Sequence, residues 1–265
     1  MAQISLKDVS LKRQGKALLS HLNWQVEKGQ MWAILGLNGS GKTTLLKMLM
    51  AEYFPSEGEA EVLGVKFGHG DIPSMRKKIG VVGSFIAERL PKMMKAEQVV
   101  LTGKYKSSIL YKAYGERELN EARQMLIALG GEKLLGRTYY ELSQGEKQLL
   151  LIARSLMEDP EIIILDEATS GLDLFAREKL LAQVEKIADL PHAPTVIYVT
   201  HHAEEITDRM SHILLLRKGH IVAQGSKADI IKPDVLEDFY QSPVRILPID
   251  DKRFFIKPEL DEIIS

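Results

Sequence analysis

The chain has 265 residues, 45% of them apolar and 27% charged, which is enough apolar material for one large domain or two small ones. A net charge of -1 and a pI near 6.7 give no global pull toward nucleic acid or anionic membrane, and the absence of cysteine excludes disulfides, thiolate metal sites and cysteine nucleophiles. The start, Met1 to Asp8, lacks the apolar run of a signal peptide, and no uncharged run approaches the ~20 residues that span a bilayer. A cytoplasmic chain with no direct membrane insertion is expected.

Residues 3–34 carry short apolar or alternating runs (Ile4-Leu6, Val9-Leu11, Leu18-Leu19, Leu22-Trp24-Val26), broken at Gly15 and Lys28-Gly29, which predict several short strands. Trp24 and Trp32 fall inside such runs and are expected to pack. Gln30 to Leu35 predicts a buried strand, and Thr44 to Met50 a helix with Leu45, Leu46 and Leu49 on one face. Glu59 to Phe67 suggests a hairpin around Gly64, and Ile79 to Val82 a short core strand. Helical spacing follows around 93–103, 116–129 and 146–157, with Gly130-Gly131 as a stop. Between positions 89 and 112 six basic residues (Arg89, Lys92, Lys95, Lys104, Lys106, Lys112) face one acid, Glu97: a solvated face, or a surface for an acidic partner. From Glu161 strand and helix alternate again. Ile162 to Leu165 is an unbroken apolar run, Arg177 to Ala188 an amphipathic helix, and Thr195 to Thr200 a core strand. Ile213–Leu216 and His220–Ala223 form a hairpin, and Phe254 to Ile256 a late edge strand.

The chemistry begins between the strand at 30–35 and the helix at 44–50. Gly36-Leu37-Asn38-Gly39-Ser40-Gly41-Lys42-Thr43 fits the phosphate-loop pattern G-x-x-x-x-G-K-[ST] in its strand–loop–helix setting. Glycines bring backbone N–H groups close around phosphate oxygens, and the helix start adds unpaired donors. Gly36, Asn38, Gly39, Ser40, Gly41, Lys42, Thr43 and Thr44 are therefore the candidate phosphate-binding residues. Lys42 is placed to reach β- and γ-phosphates, and the Thr43 hydroxyl to ligate Mg²⁺. The strand at 162–165 ends in Asp166-Glu167, where parallel sheets gather their ligand crevice. Asp166 there suits a Mg²⁺ ligand acting through water, and Glu167 the base that polarises an attacking water. Ser143-x-x-Glu146 makes a capping box for the helix that follows. With Gly145 it also makes an anion site, and the two readings are compatible. His201 ends the strand at 195–200 and can donate a hydrogen bond to a γ-phosphate. The adjacent His202 is expected to point away from His201, which makes a shared metal site unsuitable.

In order and spacing these motifs resemble the ATP-binding cassette (ABC) ATPase family over nearly all of residues 4–240. Gly36–Thr43 resembles its Walker A motif, Leu142–Glu146 its signature, Ile162–Glu167 its Walker B, Ser170–Asp173 its D-loop and His201 its switch histidine. The resemblance implies an α/β fold: a P-loop NTPase core with an antiparallel β-subdomain and an inserted helical subdomain. The core would take residues 1–85 and 159–240, the helical part 86–158, and a C-terminal extension 241–265. It implies ATP and Mg²⁺, with Lys42, Glu167 and His201 as the catalytic set. It also implies a head-to-tail dimer with a second copy or another cassette, in which Ser143 and Gly145 complete the partner's site, and Asp173 as a further nucleotide-binding residue. Separate transmembrane permease subunits would hold such a chain peripherally at the inner face of the membrane. A stand-alone ATPase on a cytosolic nucleic-acid, ribosome or assembly partner is the alternative. A module that binds nucleotide without turnover is disfavoured, because Glu167 and His201 fill both hydrolytic positions.

Two positions depart from the family pattern. Ser84 stands where a metal-ligating glutamine is usual, and its shorter hydroxyl would act through metal-bound water. Arg13 stands where an aromatic usually stacks on adenine; its guanidinium either stacks on the base or is a solvated turn residue.

Overall fold

The computed structural model describes residues 2–83, 90–110 and 113–259. They fall into one unit of residues 1–76 with 195–265 and a second of 77–194.

In the first unit, Ile4, Leu6, Val9 and Leu11 are buried from β1 (Ala2–Arg13), and Leu19, Leu22, Trp24 and Val26 from β2 (Lys16–Glu27). These are two long antiparallel strands, not the several short ones the broken runs suggested. The breaks in alternation are absorbed by bulges. Asp8 and His21 take positive φ of 51° and 52°, and the register shifts between Leu6 and Val9 and between Val9 and Leu11. The chain runs on through β3 (Met31–Leu35), buried at every residue, into α1 (Lys42–Leu49). Trp24 and Trp32 pack edge to face with ring centroids 5.5 Å apart, as expected of core residues. Next come β4 (Glu57–Val62) and β5 (Val65–Lys66), which complete an antiparallel sheet of order β2-β1-β4-β5, and then α2 (Ile72–Arg76).

The second unit opens with β6 (Ile79–Val82) and carries α3 (Ala96–Lys104), α4 (Glu116–Ala128) and α5 (Gln144–Leu156). Then follow β7 (Ile162–Asp166), parallel to β6 with Val82 opposite Leu165, and α6 (Leu174–Glu185). The glycine stop after α4 forms as expected: Gly130 has φ 78°, and the Gly131 N–H bonds the Leu126 carbonyl at 2.8 Å. Helices α3 and α5 meet very closely. A Cβ at Gly103 would lie 2.0 Å from the Arg154 carbonyl oxygen, so only glycine fits. The Arg154 guanidinium, buried in that contact, donates to Thr102 Oγ1 (2.9 Å) and the Ser107 carbonyl (3.0 Å). Burial lowers its pKa, and Glu158 only partly opposes this.

The chain returns to the first unit as β8 (Thr195–Thr200), parallel to β3 with Leu35 opposite Thr200. On the other side of β3 lies β9 (His212–Arg217), also parallel, and β10 (His220–Ser226) pairs with it antiparallel, giving the order β10-β9-β3-β8. After α7 (Lys227–Ile230) and α8 (Pro233–Tyr240) the late strand appears as half of a hairpin, β11 (Val244–Pro248) with β12 (Phe254–Pro258). Among the described residues no helix is long and apolar enough to cross a membrane.

Candidate functional site

The phosphate loop joins the carboxyl end of β3 to α1. Its shape depends on glycine. A Cβ at Gly36 would lie 2.4 Å from Ser40 Oγ and 2.8 Å from the Leu216 carbonyl, and Gly39 and Gly41 take positive φ of 77° and 108°. The Ser40 N–H bonds the Leu37 carbonyl (3.1 Å), and the Gly219 N–H, from the β9–β10 turn, bonds the Ser40 carbonyl (2.8 Å). Helix α1 begins at Lys42 with no side-chain cap and no acid in its first turn. Lys42 is buried, and its Nζ donates to the Gly36 and Leu37 carbonyls at 2.7 and 3.4 Å. The buried Ser40 hydroxyl oxygen finds no hydrogen-bond partner among the described residues. An uncapped helix start, a buried ammonium and an unsatisfied hydroxyl together make a seat for an anion.

Strand pairing brings His201 beside this loop. The Gly36 N–H bonds the Thr200 carbonyl at 3.2 Å, so loop and histidine leave neighbouring strand ends. The two histidines do not diverge as alternation suggested. Their ring centroids are 4.1 Å apart at 39°, because the chain bends at His201 and strand geometry ends there. His202 Nδ1 lies 3.4 Å from Glu204 Oε1. A buried carboxylate lies on the same segment. Glu205 is 2% exposed and accepts from Tyr198 Oη (3.1 Å) and Thr200 Oγ1 (2.6 Å).

In the second unit, Asp166 ends β7 and Glu167 follows with φ 48°, a left-handed conformation unusual for glutamate and common where function holds the backbone. Ser143, Gly145 and Asp173 come together there, around one cavity of about 500 Å³ also lined by Leu149, Lys179 and Gln183. The capping box forms: Ser143 Oγ accepts from the Glu146 N–H (3.3 Å), and the Glu146 carboxylate accepts from the Ser143 N–H (2.8 Å). Arg137, which sequence reasoning passed over, donates to Glu146 at 2.8 Å. Burial pushes the Glu146 carboxyl up, but Arg137 and the Ser143 N–H outweigh it and leave the pKa below the ordinary value. Asp173 caps α6 through the Ala176 N–H at 3.0 Å.

The Arg13 guanidinium lies over the ring of Tyr53, 4.3 Å from its centroid, with Lys47 5.5 Å from the same ring. Tyr53 left no signal in the sequence, since a tyrosine after a helix is common in any core. Ser84 falls outside the described residues, as do Arg89 and Lys112 of the basic run. Within that run Lys104 pairs with Glu121 (2.6 Å) and Lys106 with Glu158 (3.4 Å), so acids of this chain already answer part of its charge.

Comparison with known proteins places these motifs. The sequence pattern of the ABC transporter family matches residues 19–170. A protein of Streptococcus mutans, ascribed the role of an ABC transporter ATP-binding protein, is 76% identical over 260 residues, covering 98% of this chain and 100% of that one. A chain from an inward-facing structure, ascribed to a metal-chelate type ABC transporter, superposes with a TM-score of 0.77 at 26% identity, over 100% of this chain and 99% of that one. A dimeric ATP-binding cassette in a post-hydrolysis state with ADP and Pi superposes with a TM-score of 0.67 at 26% identity, over 84% and 98%.

Proposed function

From its membership of the ABC transporter family, this chain being an ATP-binding cassette ATPase, we propose that it powers transport by hydrolysing Mg-ATP in a head-to-tail dimer beneath separate membrane subunits. The observation that carries the reading is the uncapped start of α1 behind the Gly36–Gly41 loop, an anion seat on the crevice side of β3 and β8.

Backbone N–H groups of the loop and the Lys42 ammonium hold the phosphates, offsetting their charge where substrate is desolvated. A magnesium ion would be held by the Thr43 hydroxyl and the Asp166 carboxylate, hard oxygen donors of the kind it takes beside phosphate, and would supply charge neutralisation at the phosphoryl oxygens. Glu167 accepts a proton from water as that water's oxygen bonds the γ-phosphorus. The bond from the γ-phosphorus to the β–γ bridging oxygen breaks, releasing ADP and phosphate. His201 donates to a γ-phosphate oxygen and so registers its presence. Ser143 and Gly145, with Asp173, complete the site on the opposing chain. Arg13, carried on Tyr53, supplies a cationic edge for the base.

The dimeric relative with ADP and Pi supports a cassette dimer, and the chain from an inward-facing ABC transporter supports membrane subunits as partners. Such an arrangement places the chain at the cytoplasmic face.

The test is Glu167→Gln. It should bind ATP with unchanged affinity and dimerise, while turnover falls by roughly 10²–10⁴-fold, the contribution of a general base. Turnover near that of the parent protein would remove Glu167 from the role. Recovery of the dimer from membranes only when permease subunits are co-expressed tests the transport half. A dimer that stays in the soluble fraction with them present would count against it.

A further inference from the structure

The short segment after β8 is held from two sides. On the inside, Thr200 Oγ1 donates to the buried Glu205 carboxylate (2.6 Å) and accepts from the His202 N–H (2.9 Å), so one hydroxyl brackets His201. On the outside, the turn of the β11–β12 hairpin reaches back to the same segment. Arg253 donates twice to the Glu204 carbonyl, from Nε at 3.2 Å and Nη2 at 2.6 Å. Lys252 Nζ meets Asp208 Oδ2 at 3.0 Å. Lys227 Nζ bridges the Thr207 carbonyl (3.1 Å) and the Lys252 carbonyl (2.7 Å).

We infer that Arg253 is a positioning residue for ATP hydrolysis: through the Glu204 carbonyl it fixes where His201 sits, making the C-terminal hairpin a strap on the histidine segment. The inference rests on His201 serving the γ-phosphate.

Three observations favour this over a merely local contact. The grip is stiff at its own end, because Asp250 Oδ1 accepts from the N–H groups of both Lys252 (2.8 Å) and Arg253 (2.7 Å) and locks the turn. The hairpin is anchored, since Phe254, beside Arg253, is 5% exposed. The contacts named above also converge on one short stretch, residues 204–208. A two-stranded ribbon is marginal alone, so strap and segment order one another. Between the strand end and the Glu204 carbonyl the chain has only three residues, too few to absorb a displacement without moving His201.

The experiment is steady-state ATPase kinetics on Arg253→Ala, Arg253→Lys, His201→Ala and the Arg253→Ala/His201→Ala double variant, in the full chain. Arg253→Ala should lower kcat on the order of tenfold, below the ~10²-fold that a 1 Å misplacement costs, with KM for ATP within about twofold. Arg253→Lys, which keeps one charged donor, should fall between. In the His201→Ala background the Arg253 change should add nothing, because both act through one group. Full additivity, or Arg253→Ala at parental kcat while His201→Ala is slow, would overturn the positioning role alone. His201→Ala at parental kcat would remove the histidine's role and the inference with it. Should Arg253→Ala not fold, parental kcat in Arg253→Lys together with unchanged His201→Ala loss would also overturn it.

Discussion

Two helices that begin at motif residues handle their first turns in opposite ways. Helix α1, behind the phosphate loop, has a glycine at its N-cap, no side-chain cap and no acid in its first turn. Helix α5 starts with a complete box, Ser143 and Glu146 satisfying one another's N–H, and Arg137 bracing the acid. A helix start leaves orphan N–H donors that something must satisfy. At α1 no N-cap side chain satisfies them, and the buried Lys42 ammonium lies against the Gly36 and Leu37 carbonyls of the same loop. At α5 the chain satisfies two of them itself and keeps an exposed hydroxyl. In the function proposed above, the first is the seat for the triphosphate within one chain, and the second is a stable platform offered to a nucleotide held by the partner.

The sharpest break of that contrast is Lys42→Ala. Losing charge-assisted contacts worth roughly 1.5–3 kcal/mol should weaken ATP binding by calorimetry about 10- to 150-fold, with thermal stability little altered. Equal affinity would mean the α1 seat does not hold the triphosphate. Next comes a pair at α5. Ser143→Ala should cost about 1 kcal/mol of stability, or roughly 2–4 °C in Tm, and slow turnover without changing ATP affinity of the isolated chain. Ser143→Asp restores a cap, so Tm should recover, but its charge opposes phosphate, so turnover should not. An aspartate variant as active as the parent would show that this helix start never meets an anion. The smallest effect concerns acid. The folded pKa of Glu146 is depressed, so its stabilisation is complete above the unfolded value near 4.5 and is lost as pH falls through the folded one. Denaturant unfolding of Glu146→Gln across that range should give a flatter acid limb than the parent protein. An identical limb would mean the Arg137–Glu146 contact contributes nothing.

What the sequence shows most clearly is what the backbone dictates locally. Gly39 and Gly41 at positive φ, and the unbroken apolar runs of β3, β7 and β8, announce the loop and the strand ends without knowledge of the rest. The box at Ser143 was equally plain, its partners being three residues apart. What stayed hidden depends on distant neighbours. The long reach of β1 and β2 needs bulges at Asp8 and His21 that only pairing reveals. Glu205 sits in a polar run, and only the hydroxyls of Tyr198 and Thr200 explain its burial. Arg253 meets Glu204 across 49 residues, and Arg13 finds Tyr53 by folding alone.

One bond of ordinary length has a mechanical meaning. The Gly36 amide, at the first residue of the phosphate loop, is fastened to the Thr200 carbonyl, one peptide before His201. The loop's first residue is therefore joined directly to the peptide unit that enters His201, with no intervening side chain. In the function proposed above, grasping the ligand and sensing its terminal group would fall to a single yoked piece of main chain.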